Sequence, residues 1–351
     1  MTRRKSVRLQ EIAERANVSI GTVDRVLHNR GRVSYETKAK IIGLVEELGY
    51  IHKNTRPCIK TVGVLCPRPE ECHYWELPLR GIDKTAELLQ STGLTLKKVY
   101  FDAFCAEDYF QRGLELLNEH VDAVILTPLY RQESYKLVRE MRKSGILYGF
   151  MDANFPELEP DYFVGQDAKN CGALVGGLIK YIMQPSEQVW VVNLSPGKRT
   201  STNLQREIGA VDTLGHFFSH EQCIHVLDFP YAHLDRAAIF KKIEEQTKHL
   251  SKPRVVYVTN SRIKLIHEYF AEIGMAKGVI FIGHDPLPEN ISLLLDDKID
   301  FLIAQDSVQQ GSDILEGIWG ILQKKVLLTK EKHHYSMVYT KDNIHGFLRN
   351  K

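Results

Sequence analysis

Several apolar runs in this 351-residue chain end in polar groups able to grip a small ligand. Ile146 to Met151 ends in Asp152, Val255 to Thr259 in Asn260, Val279 to Gly283 in His284-Asp285, and Leu302 to Ala304 in Gln305-Asp306. Arg206 follows a Ser and Thr loop and precedes Gly209 near the start of a helix. Carboxylates, amides and a guanidinium together offer the acceptors and donors that vicinal hydroxyls require. Tyr74 and Trp75, after the first apolar run, add surfaces that can stack on the apolar face of a sugar ring, giving the mostly apolar lining with few placed polar groups typical of small-molecule pockets. Each residue taken singly has an ordinary structural explanation: Asp152 or Asp285 caps a helix, Asn260 holds a turn, Arg206 forms a surface ion pair, Trp75 sits in a core. Their shared position at strand ends favours one common site.

The elements that position them follow from the hydrophobic pattern. Strand-like runs at 61–66, 96–101, 123–127, 146–151, 189–194, 224–229, 255–259, 279–283 and 302–304 alternate with amphipathic helix candidates at 79–89, 109–117, 135–142, 173–182, 239–247 and 263–273. This rhythm predicts parallel sheets with crossover helices, an α/β architecture. Ligands bind such open sheets beyond the carboxyl ends of the strands. About 290 residues correspond to roughly two lobes at the usual domain size.

The first fifty residues have a different character. Leu9, Ile12, Ala13 and Ala16 recur at helical spacing, with Arg8, Glu11, Glu14 and Arg15 left for water. After a turn at Asn17-Val18, Ser19 is placed to cap a second helix whose Val23, Val26 and Leu27 point inward, leaving Ile20, Gly21, Thr22 and Arg25 outside. Ser34 caps a third helix with Ile41, Ile42, Val45 and Leu48 as its predicted apolar side. Three short helices sharing a core predict a helix-turn-helix unit with a DNA-reading second helix. Residues 1–57 hold 12 Lys and Arg against 6 Asp and Glu, a net of +6, and the rest of the chain holds 34 against 38, a net of −4. The basic excess sits where phosphates would be met.

Other chemistries find little support. Cys58, Cys66, Cys72, Cys105, Cys171 and Cys223 lack metal-ligand spacing and no His cluster completes a set, so neither metal nor cofactor is expected. The 195–201 loop resembles a phosphate-binding loop only loosely, since the required glycine and Lys-Ser/Thr spacing is missing. No secretory signal or long apolar span is evident, which predicts a cytoplasmic protein with no membrane contact.

From Val7 to Tyr50 the chain resembles the headpiece of the lactose-repressor and galactose-repressor family, through Val18-Ser19 and Thr22-Val23 followed by Arg25-Val26-Leu27. The resemblance implies that Ile20, Gly21 and Arg25 face base edges in the major groove while Ser19 and Thr22 touch phosphates. Arg25 is then suited to a bidentate contact with guanine. His28 joins the DNA-facing set where the family carries asparagine, and Asp24 replaces the usual serine. The hinge also departs: Ile51 to Pro57 has no Ala-x-x-Leu pattern, and Pro57 would end any helix there. The wedge that intercalates in the minor groove therefore has no candidate residue.

Residues 60–345 are similar to the effector domain of the same family and to periplasmic sugar-binding proteins of the ribose type. That resemblance implies effector contacts from Tyr74, Trp75, Asp152, Arg206, Asn260, Asp285 and Gln305, with Phe229 as a further aromatic wall. Ala153 stands where the ribose-type proteins carry arginine, and Gln166-Asp167 matches a lobe-crossing segment that supports the hinge. The expected organisation is a three-helix headpiece and short hinge over 1–57, followed by a two-lobed, periplasmic-binding-protein-like (type I) domain. Lobe 1 is expected over about 60–164 and 306–333, and lobe 2 over about 165–304 and 334–345.

The predicted function is a ligand-responsive regulator that binds a pseudo-palindromic DNA operator as a homodimer and senses a sugar. The chain ends soon after Phe347-Leu348 without leucine heptads, so a tetramer is not expected. One alternative is a regulator sensing a purine or other non-sugar effector. A second is a carbohydrate enzyme with a fused DNA-binding head, and a third is an architectural DNA protein indifferent to small molecules. The enzyme reading lacks a nucleophile motif or cofactor loop to accompany Asp152 and Asp285, so no catalytic residue is assigned.

Overall fold

The computed structural model describes residues 9–27, 33–48, 59–70, 73–196, 200–219, 223–231, 235–324 and 329–349. The chain divides into two compact units, Met1–Cys58 and Ile59–Lys351. In the first, α1 (Leu9–Ala16), α2 (Ile20–Leu27) and α3 (Tyr35–Glu47) enclose a core of Ile12, Ala13, Ala16, Val23, Val26 and Ile41. Asn17 makes the turn between α1 and α2 in the left-handed region, at φ 58°, a conformation that asparagine tolerates better than most residues. The Ser19 hydroxyl accepts from the Thr22 amide at 3.1 Å, and Ser34 does the same for Thr37 at 3.3 Å. Both caps satisfy backbone donors that the first helical turn leaves open. The expected apolar side of α3 needs one correction. Ile42 is 42% exposed, because about 100° of helical rotation separates it from Ile41, and Leu44 packs on the core beside Val45 and Leu48 instead.

The second unit holds two sheets, each of six strands among the described residues. The first combines β1 (Lys60–Pro67), β2 (Leu94–Phe101), β3 (Ala123–Leu126), β4 (Leu147–Asp152), β5 (Tyr162–Gln166) and β11 (Glu331–His334) in the order β11-β5-β4-β3-β1-β2. The second combines β6 (Val189–Pro196), β7 (Ile224–Tyr231), β8 (Val255–Val258), β9 (Ile280–His284), β10 (Phe301–Ala304) and β12 (Met337–Tyr339) in the order β12-β10-β9-β8-β6-β7. Pairing is parallel except between β10 and β12. Each sheet is buried by helices on its faces, as parallel sheets require. The helices are α4 (Glu76–Leu89), α5 (Ala106–Asn118), α6 (Arg131–Ser144), α7 (Ala168–Ile182), α8 (Ser201–Gly215), α9 (Arg236–Thr247), α10 (Ile263–Glu272), α11 (Pro288–Leu295), α12 (Ser307–Leu322) and α13 (Ile344–Arg349).

The chain passes between the sheets after β5, after β10 and between β11 and β12. Near these crossings, helix pairs in each lobe meet backbone to backbone. A Cβ built on Gly81 of α4 would lie 1.8 Å from the Val308 carbonyl oxygen of α12, and one on Gly311 of α12 would lie 1.9 Å from that of Pro78. The other lobe repeats the device with α7 and α8. A Cβ on Gly172 would meet the Arg206 carbonyl at 1.9 Å, and one on Gly209 would meet the Lys169 carbonyl at 1.9 Å. Only glycine permits this approach. It fixes the start of α8, which presents Arg206 to the site, and the start of α12, whose Ser307 and Gln310 back Tyr74 and Gln305.

Candidate functional site

Two carboxylates at strand ends define the cleft. Asp152 closes β4 and Asp285 follows β9, both in the left-handed region at φ 69° and 62°. Sparsely populated backbone of this kind persists only where the surroundings enforce it, and it concentrates at functional sites. At Asp152 the Ala153 amide donates to the Met151 carbonyl at 2.8 Å, a three-residue turn centred on the carboxylate. At Asp285 the amide donates to Ile303 of the neighbouring strand at 2.9 Å. The fully buried Asn290 side chain donates to the carbonyls of Ser261, His284 and Asp285 at 3.0, 3.2 and 3.0 Å. One amide thus ties together the ends of two strand loops.

The side chains around these carboxylates are similarly held. Tyr74 donates its hydroxyl to Asp152 Oδ1 at 2.5 Å and packs edge-on against Trp75, with centroids 5.0 Å apart. Gln305 Nε2 donates to Asp285 Oδ1 at 3.1 Å, and its own carbonyl accepts from Gln310 at 2.7 Å. Arg206, 2% exposed, donates Nη1 to the Thr259 carbonyl at 2.9 Å. It also donates Nη2 and Nε to Gln166 Oε1 at 2.9 and 3.2 Å. Gln166 in turn donates Nε2 to Ser336 Oγ at 3.0 Å. The arginine is therefore tied to two of the segments that cross between lobes. Asn260 donates Nδ2 to the Leu194 carbonyl at 2.5 Å and accepts from the Arg262 amide at 3.1 Å. The Thr202 hydroxyl of one lobe reaches the Asp152 carbonyl of the other at 3.3 Å.

These groups converge on a cavity of ≈ 110 Å³ between the lobes. Tyr74, Trp75, Asp152, Arg206, Asn260, Asp285 and Gln305 all line it. Phe229 does not. It lies two residues short of the end of β7, is 1% exposed, and packs in the core of the second lobe beneath the cleft. The aromatic ring at the cavity on that strand is Tyr231. Sequence reasoning also missed Ala103, Phe104 and Leu129 on one lobe, and Thr200, Asn203, Ser261 and Arg262 on the other. Tyr231 and Arg262 stood within two residues of expected positions, and Asp102 ends the apolar run of β2 as Asp152 ends that of β4, but the residues that reach the cavity there are the apolar Ala103 and Phe104.

Burial governs the electrostatics. It pushes the Asp285 carboxyl up to about 6, with Arg206 and the Gln305 hydrogen bond opposing and Asp152 adding to the rise. Burial also raises Asp152, against the Tyr74 hydrogen bond and the Arg206 charge. Tyr74 is driven well above its ordinary range by burial and then by Asp152 and Asp285, so it stays a donor. Burial and Arg206 hold His284 well below its usual value, keeping it neutral beside Tyr257 Oη at 2.9 Å. The result is a buried permanent cation, Arg206, with two carboxylates whose charge is costly without a partner. A ligand bearing several hydroxyls supplies such partners. Among the described residues, no group of three His, Cys, Asp or Glu is placed to hold a metal ion. Among the same residues, no helix is long and apolar enough to cross a membrane.

In the first unit, Ser19, Ile20, Gly21 and Arg25 are exposed on α2, with Ile20 at 47%, and Thr22 is half-buried. The Ser19 and Thr22 hydroxyls lie 2.9 Å apart. His28 lies outside the described residues, as do Arg3, Arg4, Lys5, Arg8, Arg30 and Arg32.

The fold and cavity define a two-lobed ligand-binding domain, carried on one chain with a helix-turn-helix unit. Residues 8–53 match the family described as bacterial regulatory proteins, lacI family, and residues 62–325 match the periplasmic binding protein domain. The chain belongs to the lacI family of DNA-binding transcriptional regulators. It is 27% identical over 214 residues to the probable HTH-type transcriptional regulator EndR of Paenibacillus polymyxa, covering 59% of this chain and 60% of that protein. It is 30% identical over 166 residues to the HTH-type transcriptional regulator GntR of Escherichia coli, covering 45% and 47%. The matched stretches thus span about half the length of these curated relatives. Among solved structures, the glucose-galactose binding protein GanP of Geobacillus stearothermophilus is similar at TM-score 0.69 and 18% identity, over 81% of this chain and 99% of that one. A solute binding protein of Burkholderia graminis in complex with D-arabinose is similar at TM-score 0.71 and 17% identity, over 83% and 98%. At these identities the likeness establishes the fold.

Proposed function

We propose that this regulator binds a pseudo-palindromic operator as a homodimer in the cytoplasm and senses a sugar or sugar derivative in the interlobe cleft. The observation that carries the reading is the convergence of Asp152 and Asp285, Arg206, Asn260 and Gln305, Tyr74 and Trp75, from both lobes, on one cavity. The set supplies both the donors and the acceptors that vicinal hydroxyls demand. The solved structures of similar fold that bind sugars support the same ligand class. Exposed Arg25, Gly21 and Ile20 on α2 support base reading in the major groove, with Ser19 and Thr22 at phosphates; His28 joins this set by the family resemblance alone. A homodimer follows from half-site logic, since two recognition helices read a two-fold site.

The site acts by binding and not by turnover. Both carboxylates already serve as acceptors for Tyr74 and Gln305, and they sit on opposite lobes, where a shared ligand draws the lobes together. Ligand then shifts operator affinity to the extent that it binds one lobe arrangement better than the other. The test is to select an operator from random DNA with the full chain and then measure its affinity with and without each of a panel of sugars. One sugar should change operator affinity at least roughly fivefold, the lower end of typical allosteric coupling. Indifference to every sugar, or a response to purines alone, contradicts the proposal.

A further inference from the structure

We infer that Phe104 and Tyr231 form the outer wall of the cleft and limit its ligand to a single sugar ring, an inference that rests on the sugar sensing proposed above. Phe104 follows β2 and Tyr231 ends β7, and these are the edge strands of their sheets. Both edges lie away from the crossing segments, which leave from β5, β10, β11 and β12. From β5 to β2 there are four strand spacings, about 19 Å at ~4.8 Å each. The two rings therefore meet on the side of the cleft opposite the hinge, where lobe opening separates facing groups most.

Their contact joins the lobes. The ring centroids are 5.8 Å apart with planes inclined at 55°, within the range of favourable aromatic pairs. Phe104 also packs against the hydrophobic core of the second lobe. The turn that carries it is firmly mounted: its amide donates to Asp102 Oδ1 at 2.7 Å, and Tyr130 donates its hydroxyl to the Ala103 carbonyl at 2.7 Å. Tyr231 is buried at the end of its strand. Both rings line the cavity that Trp75, Asp152, Arg206 and Asp285 bound elsewhere.

Volume decides the size class. A cavity of roughly 150 Å³ takes up one benzene molecule, and the ≈ 110 Å³ between the lobes is smaller still, so a single sugar ring already more than fills it and a second ring has no room. A glycosidic substituent projecting away from the hinge must displace Phe104 or Tyr231 and break their contact. The pair is thus a specificity device that works by exclusion, with its cost falling on the larger competitor.

The experiment is calorimetric titration of the full chain with monosaccharides and with disaccharides containing the best of them. The wild type should bind one monosaccharide at least roughly tenfold more tightly than its disaccharides, a discrimination within reach of pocket shape. Phe104→Ala should shrink that ratio to threefold or less, whereas Tyr231→Phe, which keeps the ring, should preserve it. Should Phe104→Ala not fold, Phe104→Val carries the same expectation. A disaccharide bound as well as the monosaccharide by the wild type, or a ratio unchanged in the Phe104 variants, overturns the size limit and leaves sugar sensing intact. Absence of any saccharide binding to the wild type overturns sugar sensing and the size limit together.

Discussion

Asp285→Asn should stabilise the ligand-free protein at neutral pH while abolishing effector binding. Asp285 is buried with its carboxyl pushed up to about 6, against about 3.9 for an unfolded aspartate. A difference of roughly two units, at about 1.4 kcal/mol each, makes ionisation of the folded cleft cost about 3 kcal/mol. Because the native carboxyl holds its proton more tightly than the unfolded one, this group makes stability fall as pH rises from about 4 to about 6, with no further change above. Asparagine has nearly the same shape, can still accept from Gln305, and carries no charge. Its advantage over the wild type should be about 3 kcal/mol at pH 7 and under about 1 kcal/mol at pH 4. At roughly 2 °C per kcal/mol for a large domain, the Tm of the variant should stand ~6 °C higher at pH 7. Thermal unfolding of both proteins without ligand, at pH 4, 5 and 7, measures the difference directly and cancels the other carboxylates. A variant no more stable than the wild type at pH 7, or an advantage that does not shrink in acid, would refute the reasoning.

Four further substitutions test other parts of the account. Arg25→Ala should cost about 1 to 3 kcal/mol of specific DNA binding, as expected for a lost bidentate base contact. An unchanged preference for operator over random DNA in a competition assay rejects that role. Gly209→Ala places a methyl 1.9 Å from the Lys169 carbonyl and should lower stability by about 1 to 3 kcal/mol through forced separation of α7 and α8. Gly177→Ala, with nothing within 4 Å of the added carbon, should be neutral or stabilising by up to about 1 kcal/mol; equal melting shifts for the two alanines would contradict the close-crossing argument. Gln166→Ala removes the acceptor of two Arg206 N–H groups and should weaken effector binding about tenfold or more with operator affinity retained. Unaltered effector titration would show that Arg206 needs no support.

Much of this organisation was legible because the decisive signals are local. Strand-ending polar residues announce themselves when an apolar run stops, and Asp152, Asn260, Asp285 and Gln305 all reach one cavity. The headpiece was equally clear, since Ser19 and Ser34 cap short helices with regular apolar spacing. What escaped notice depends on tertiary surroundings. The α12 helix is buried nearly all round and contains Gly311, Gly317 and Gly320, so it shows neither amphipathic spacing nor high helix propensity. Gly311 is there because the α4 backbone passes against it. Strands β11 and β12 are short and polar or mixed edge strands, and edge strands need little apolar content. Phe229 was misplaced by two residues because strand periodicity fixes the face of a side chain and not its depth below the cleft. Phe104 was missed because it sits in a turn whose importance comes from the opposite lobe.

The most direct test of the central claim is a thermal-shift titration of the full chain against pentoses, hexoses, sugar acids, sugar phosphates and purines, repeated with Asp152→Ala and Arg206→Ala, one residue from each lobe. A ligand at about 100 times its Kd adds roughly 2.7 kcal/mol of stability. The account predicts that a sugar or sugar derivative raises the Tm saturably and that either substitution removes the effect. A purine as the sole hit, silence across the panel, or a sugar response that survives both substitutions would contradict it.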